Sequence, residues 1–430
     1  MSGILIAAPA SGSGKTTVTL GLLRALRRRG VALSPGKAGP DYIDPAFHAA
    51  ASGETCLNYD PWAMRPALLS AQAAEAGGKM LVIEAMMGLF DAAMDGRGSA
   101  ADLAAILGLP VVLVVDCGKM AHSVAALVRG YATHRSDIRV AGVILNKVGS
   151  ERHAAMLRGA LETIGMPVLG ALMRDPRLTM PERHLGLVQA QEYAGLDAFI
   201  EGAAALVEEG IDIDALMAIA GTAPRRQAAG VAAIAPLGQK IAIARDIAFS
   251  FAYPHLLQGW RRQGAELSFF SPLAGEGPAE HADAVYLPGG YPELHAGTLS
   301  AATGFRAGMK AARTRGARIF GECGGYMVLG EGLVAADGGR YEMLGFLPLE
   351  TSFLERRRHL GYRRAEPLDS LFFQGPLMTH EFHYATILSE GTADRLFAAT
   401  DAAGNGLGEM GLRREQVAGS FLHLIDRGDA

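Results

Sequence analysis

Near the amino terminus, Ala8–Thr16 reads APASGSGKT. The string approximates G-x-x-x-x-G-K-[ST], a loop that wraps backbone N–H groups around phosphate oxygens and needs a strand before it and a helix after it. Both flanks comply. The apolar run Ile4–Ala8 precedes the loop, and a helical stretch over Lys15–Arg29 follows, with Val18, Leu22, Leu23 and Leu26 on one side and Gly30 as its stop. Such a loop commits the chain to a layered α/β domain with a parallel sheet buried between helices. Continuous apolar runs predict the other strands at Met80–Ala85, Val111–Asp116, Val140–Leu145 and Val168–Leu172. Within the loop, Gly12, Ser13, Gly14, Lys15, Thr16 and Thr17 are the candidate nucleotide-binding residues. The glycines turn amides inward, Lys15 supplies charge to the terminal phosphates, Thr16 reaches Mg²⁺, and the helix start adds its positive end. Ala8 stands where a first glycine is usual, a cheap exchange if its φ is negative.

A Mg–ATP site also needs carboxylates. Glu84 closes the run LVIEA, where a parallel strand delivers side chains to the ligand edge of a sheet. Asp41 lies in KAGPDYIDP, too polar and too rich in Gly and Pro for core. Asp41 and Glu84 join Thr16 as the expected metal ligands, with Asp116 a weaker candidate. Asn146, followed by Lys147 at the end of AGVIL, is a candidate for contacting the nucleotide base.

The chain then changes character. From about Ala218 to Gln239 it is rich in Ala, Gly and Pro, and reads as a linker between domains 1–217 and 240–430. The second domain opens with strand-like runs at Ile241, Leu267–Phe270, Ala284–Leu287 and Ala317–Phe320, a second α/β pattern. After the last of these comes Gly321–Gly325, GECGG, a strand–turn–helix elbow with Cys323 at its tip. The helix start there is expected to favour a thiolate. A thiol nucleophile needs a base, and His423 in the strand-like VAGSFLHL is the best candidate, with His380 and His383 as rivals. The amides of Gly290, in PGGYPE, and Gly324 are candidates for an oxyanion hole. Cys56 and Cys117 lack such context and read as packing residues.

Composition narrows the remaining classes. Forty basic against 44 acidic residues give a net charge of −4 and no drive toward nucleic acid or an anionic membrane. The most apolar run, Leu109–Val115, is far shorter than the roughly 20 residues of a spanning helix, and the first residues lack the pattern of a signal peptide. Three cysteines without metal-ligand spacing point to a reducing, cytoplasmic setting.

The second domain resembles class I glutamine amidotransferases, in the order PGGYPE, GECGG and a late strand histidine. The first resembles dethiobiotin synthetase-like P-loop ligases. Together with KAGPDYIDPAFH, VIEAMMGLFD, LMRDPRLTMPERHLGL and ARDIAFSFAYP, the whole chain is similar to the cobyrinic or hydrogenobyrinic acid a,c-diamide synthase family of cobalamin biosynthesis. The resemblance implies ATP, L-glutamine and a corrinoid macrocycle as partners, Mg²⁺ as cofactor, and amidation of the a and c acetates through an acyl phosphate. It allows a homodimer. It implies that Tyr42, Asp44 and Asp91 lie near the corrinoid carboxylates, that Cys323 forms a glutamyl thioester, and that His423 moves protons. Many class I amidotransferases carry a Glu two residues after the histidine; that position is Ile425 here, so a Cys–His dyad is expected. Two other readings stay open: a glutamine-dependent ligase for another carboxylate, such as a cell-wall precursor or a cobyric acid synthase substrate, and a P-loop regulatory ATPase with a non-catalytic second domain. The latter usually has an extra lysine where Ala10 stands.

Overall fold

The structure, a computed structural model, describes residues 2–178, 182–183, 186–221, 231 and 233–428. The chain divides into two compact units, Met1–Val231 and Ala232–Ala430. Parts of two expected features lie outside the described residues: 179–181 and 184–185 of the LMRDPRLTMPERHLGL stretch, and 222–230 and 232 of the linker. The helix Ile213–Ala220 extends into the segment read as linker.

In the first unit, seven strands form one parallel sheet: β1 (Ser2–Ala7), β2 (Leu33–Ala38), β3 (Leu57–Tyr59), β4 (Met80–Glu84), β5 (Val111–Asp116), β6 (Val140–Val148) and β7 (Val168–Met173). Their order is β3-β2-β4-β1-β5-β6-β7. The register sets Ile6 beside Glu84 and Lys37 beside Glu84, so the carboxyl ends of β1, β2 and β4 meet at one edge. Continuous apolar runs form these strands because both faces are covered: Ile4, Leu5, Ile6, Val112, Leu113 and Val114 are all fully buried. β2 and β3 are absent from the sequence reading. β2 is LSPGKA, and its Pro35 and Gly36 break any apolar run. The proline is tolerated because β3 pairs only with Gly36–Ala38, which leaves Pro35 without a neighbour on that side. Gly36 is required by packing, since a Cβ there would lie 2.8 Å from the Tyr59 ring.

Helix α1 (Lys15–Arg28) buries Val18, Leu22, Leu23 and Leu26 against the sheet, each contributing roughly 1.5–3 kcal/mol. It also packs against the helix Leu196–Gly210, where Arg24 and Arg28 pair with Asp197, Glu201 and Glu208. The acidic partners are exposed, so the pairs contribute at most about 1 kcal/mol each, and close packing dominates this contact.

The second unit is built on a ten-stranded sheet. Five strands are parallel, in the order Glu266–Phe270, Lys240–Ala244, Ala284–Leu287, Arg318–Glu322 and Val417–Ser420. Five more continue it antiparallel: Gly406–Arg414, Asp394–Asp401, His359–Pro367, Leu377–His383 and Leu422–Arg427. The sequence reading missed most of this antiparallel half and joined its last element to the last of the parallel strands. VAGSFLHL is not one strand: it breaks at Phe421, and the two pieces lie at opposite ends of a six-strand run. Residues so close in sequence can occupy both ends only if the run curls back on itself. That curl returns His423 to the elbow that follows Glu322.

Two glycines in helices predict opposite outcomes. Gly21→Ala should destabilise the first unit by about 1–3 kcal/mol, because its Cβ would lie 2.4 Å from the Ala203 carbonyl oxygen, outweighing the ~1 kcal/mol of helix propensity gained. Gly159→Ala, in the helix Glu151–Glu162 with no atom within 4 Å of its Cβ, should stabilise by about 0.5–1 kcal/mol. Urea denaturation of the two variants checks both signs.

Candidate active sites

The phosphate loop leaves β1 and enters α1 through Gly14, which has φ 84°, with Gly12 at φ 77°. Ala8 is not among the residues of positive φ, so its methyl group is accommodated without strain. No acidic side chain occupies the first turn of α1, which leaves its positive end unopposed. Lys15 is buried and its Nζ donates to the Met87 carbonyl at 2.6 Å. Burial lowers its pKa, with Glu84 opposing and nearby Lys37 adding to the effect. Met87 itself is held at φ 55°. Ser13 and Thr17 lie in the loop and the first turn of α1.

Behind the loop lies a buried charged cluster. Glu84 is 1 % exposed. Its Oε1 accepts from Thr16 Oγ1 at 2.8 Å and from Lys37 Nζ at 2.9 Å, and its Oε2 bonds His48 Nε2 at 2.6 Å. Burial alone would raise its pKa, but Lys37 and then His48 outweigh this and hold the carboxyl far below its ordinary value. Lys37 also pairs with Asp44 and lies 3.9 Å from Asp41. Desolvation would discharge the Lys37 ammonium, yet the Asp44, Glu84 and Asp41 carboxylates hold its pKa above normal. Sequence reasoning missed Lys37 because it lies on the disguised strand β2. The lysine within KAGPDYIDP was its only signal.

Asp41 Oδ1 accepts from the amides of Ile43 and Asp44, which fixes the loop before α2 (Asp44–Ser52). Tyr42 is half-buried in that loop. Asp91 is exposed, and its Oδ2 accepts from the Gly88 amide at 2.8 Å. Thr16, Glu84 and Asp41 offer oxygen ligands of the kind Mg²⁺ takes, two of them 2.8 Å apart, with the Lys37 ammonium sharing Glu84 Oε1.

Asn146 and its neighbour Lys147 reach back to the phosphate loop. Asn146 Nδ2 donates to the Ser13 carbonyl at 2.9 Å, and Lys147 Nζ donates to the Gly12 carbonyl at 2.8 Å. Lys147 also pairs with Asp116. These side chains brace the phosphate loop.

In the second unit Cys323 has φ 46° and ψ −106°, a conformation rare for any residue but glycine, costing of order 1–3 kcal/mol. The turn is possible because its neighbours lack side chains. A Cβ on Gly325 would lie 2.0 Å from the Leu287 carbonyl oxygen, and one on Gly324 would lie 3.0 Å from the Gly290 amide nitrogen. The Gly290 and Gly324 backbones therefore approach each other beside the thiol. A Cβ on Gly289 would lie 2.4 Å from His423 Cε1, 3.3 Å from its Nε2 and 3.2 Å from Cys323 Cβ. Imidazole and cysteine thus converge over one bare α-carbon.

The surroundings of Cys323 oppose the expected thiolate. Burial raises the Cys323 pKa strongly, and the Glu293, Glu322 and Glu381 carboxylates add to this, while the Gly324 amide opposes it. The helix it begins, Gly324–Leu329, has only six residues and cannot offset three carboxylates. Burial also raises Glu293, to about 7.

The rival histidines have other surroundings. His383 stacks on Phe421 at 3.8 Å and bonds Glu381 and the Ala385 carbonyl. His359, Glu381 and His383 cluster closely enough to hold a metal ion, but Arg363 already pairs with Glu381, which makes the cluster an ion-pair network. His380 sits opposite His423 in the antiparallel register. Sequence reasoning also missed Glu322, whose Oε2 lies 3.6 Å from His423 Nδ1.

Among the described residues, no helix is long and apolar enough to cross a membrane. Residues 4–188 match the CobQ/CobB/MinD/ParA nucleotide-binding domain, and residues 240–430 match the CobB/CobQ-like glutamine amidotransferase domain. Fold and sites define a P-loop amidating enzyme that carries its own glutamine amidotransferase unit. Hydrogenobyrinate a,c-diamide synthases from Sinorhizobium sp and Rhizobium meliloti (strain 1021) are 70% and 67% identical over 99% of this chain and 99% of their own. The Rhodobacter capsulatus enzyme of that name is 52% identical over 98% of each. The chain belongs to the hydrogenobyrinate a,c-diamide synthase family.

His380 makes the second unit acid-sensitive. Burial, then His423 and Arg363, lower its pKa from 6.5 to about 3. Below the unfolded value the unfolded chain takes a proton that the folded chain refuses, so stability is present at neutral pH and is lost as pH falls. Between about pH 7.5 and 5.5 this costs about 1.4 kcal/mol, and His380→Gln should remove that share. Denaturation followed by Trp260 fluorescence in a Trp62→Phe background reports the second unit alone.

Proposed function

We propose that this enzyme converts hydrogenobyrinate, ATP and glutamine into the a,c-diamide. The observation that carries the proposal is full-length likeness to synthases of that name, running through both units. Their naming for the metal-free macrocycle favours amidation before cobalt enters.

A carboxylate resists attack by ammonia because oxide is a poor leaving group. Transfer of the γ-phosphoryl group of ATP gives an acyl phosphate, and ammonia then displaces phosphate. Lys15 and the amides of Gly12, Ser13 and Gly14 would hold the phosphates. Thr16, Glu84 and Asp41 would hold Mg²⁺, which when bound neutralises charge on the phosphate oxygens. Lys37 and His48 keep Glu84 ionised and so able to serve as a ligand. Tyr42 and Asp91 on loops, and Asp44 at the start of α2, would face the acetate side chains.

In the second unit, Cys323 sulfur adds to the glutamine amide carbon while His423 takes the thiol proton and returns it to the departing nitrogen. Ammonia leaves, and water then releases glutamate from the thioester. The Gly290 and Gly324 amides would bind the oxyanion. The buried, acid-ringed thiol supports transfer of its proton during attack, without a standing thiolate.

Cys323→Ala should abolish glutamine-dependent amidation and retain amidation driven by added ammonia. Lys15→Ala should lose both. Mass spectrometry counting carboxyl-to-amide exchanges on metal-free and cobalt-containing macrocycles reads each outcome. Exchange on the cobalt form alone would contradict the substrate assignment.

A further inference from the structure

The position two residues after the histidine is occupied by Ile425, 2 % exposed in the apolar core, where an unpaired acid would be costly. We propose that Glu322, the residue immediately before the nucleophile, is the positioning carboxylate for His423. The proposal rests on reading Cys323 and His423 as the glutaminase pair.

Glu322 is fully buried at the last position of the strand Arg318–Glu322. Its Oε2 accepts from Tyr286 Oη at 2.8 Å, and its Oε1 accepts from the Leu424 amide at 3.2 Å. The second bond ties it to the residue beside His423. Tyr286 is held in turn by Trp260, edge-on at 5.4 Å, and by Phe320, stacked at 6.3 Å. Both carboxylate oxygens therefore face donors.

His423 presents its two nitrogens to different neighbours. Nδ1 lies 3.6 Å from Glu322 Oε2, while Cε1 and Nε2 lie against Gly289 on the side of Cys323. Carboxylate, imidazole and thiol thus follow one another in the order a triad requires. The 3.6 Å separation exceeds hydrogen-bond length, and it shortens when the imidazole takes the thiol proton and becomes cationic. His380 faces His423 from the adjacent strand, and Glu293 and Glu381 face the thiol. Glu322 is thus a carboxylate that lies near both the thiol and His423 Nδ1.

The test is the pH profile of glutamine hydrolysis. Glu322→Gln should lower kcat by about 10²-fold or more with the KM for glutamine nearly unchanged, and should move the acidic limb to lower pH. Glu322→Asp, which keeps the charge, should restore the limb. Ammonia-driven amidation by the same variant serves as its folding control. Activity within about threefold of the parent with an unmoved limb would overturn the proposal. If Glu322→Gln does not fold, ¹⁵N NMR of the unmodified enzyme decides, with His423 assigned by its loss in His423→Gln. An Nδ1–H tautomer supports the role, and an Nε2–H tautomer overturns it. Glutamine hydrolysis surviving in Cys323→Ala would instead overturn the underlying reading of the pair.

Discussion

A buried carboxylate at the end of an inner parallel strand organises each unit. Glu84 ends β4 and Glu322 ends the strand before the elbow, at 1 % and 0 % exposure. An unpaired charge at such depth would cost several kcal/mol, so each carboxylate dictates its surroundings. Around Glu84 the donors are Thr16, Lys37 and His48; around Glu322 they are Tyr286 and the Leu424 amide, with His423 beyond. In both units these donors come from elements distant in sequence. The same demand that keeps each acid satisfied thus gathers the groups needed for chemistry at one sheet edge.

This explains what could be read from the chain and what could not. Motifs that depend on local backbone geometry were plain: the glycines at 12 and 14 with positive φ, and the GECGG turn whose glycines pack where no Cβ fits. Strands buried on both faces were plain because burial demands unbroken apolar runs. β2 was hidden because its Gly36 serves the Tyr59 ring and its Pro35 exploits the short span of β3, and Lys37 went unnoticed with it. The curled antiparallel half was hidden for another reason. Its strands range from the largely half-exposed His359–Pro367 to the largely buried Leu377–His383, and their partners are set by long-range register. Glu322 was in view but unassigned, because the separation of Val417–Ser420 from Leu422–Arg427 that returns His423 to it is a tertiary event.

The protonation of Cys323 follows from the same economy of charge. The elbow strains the cysteine backbone and turns its sulfur to the Gly324 amide, yet burial and the nearby carboxylates raise its pKa. A standing thiolate would hydrolyse glutamine whenever it bound and would be open to oxidation. A thiol that yields its proton only as the carbon–sulfur bond forms is reactive only toward a correctly seated amide. That demand falls on the imidazole, which must be held in one tautomer with its accepting nitrogen turned to sulfur. In a site whose surrounding acids all oppose the thiolate, the acid that also steadies the imidazolium shifts the balance, because its charge disfavours the resting anion and favours the cation that replaces it during attack.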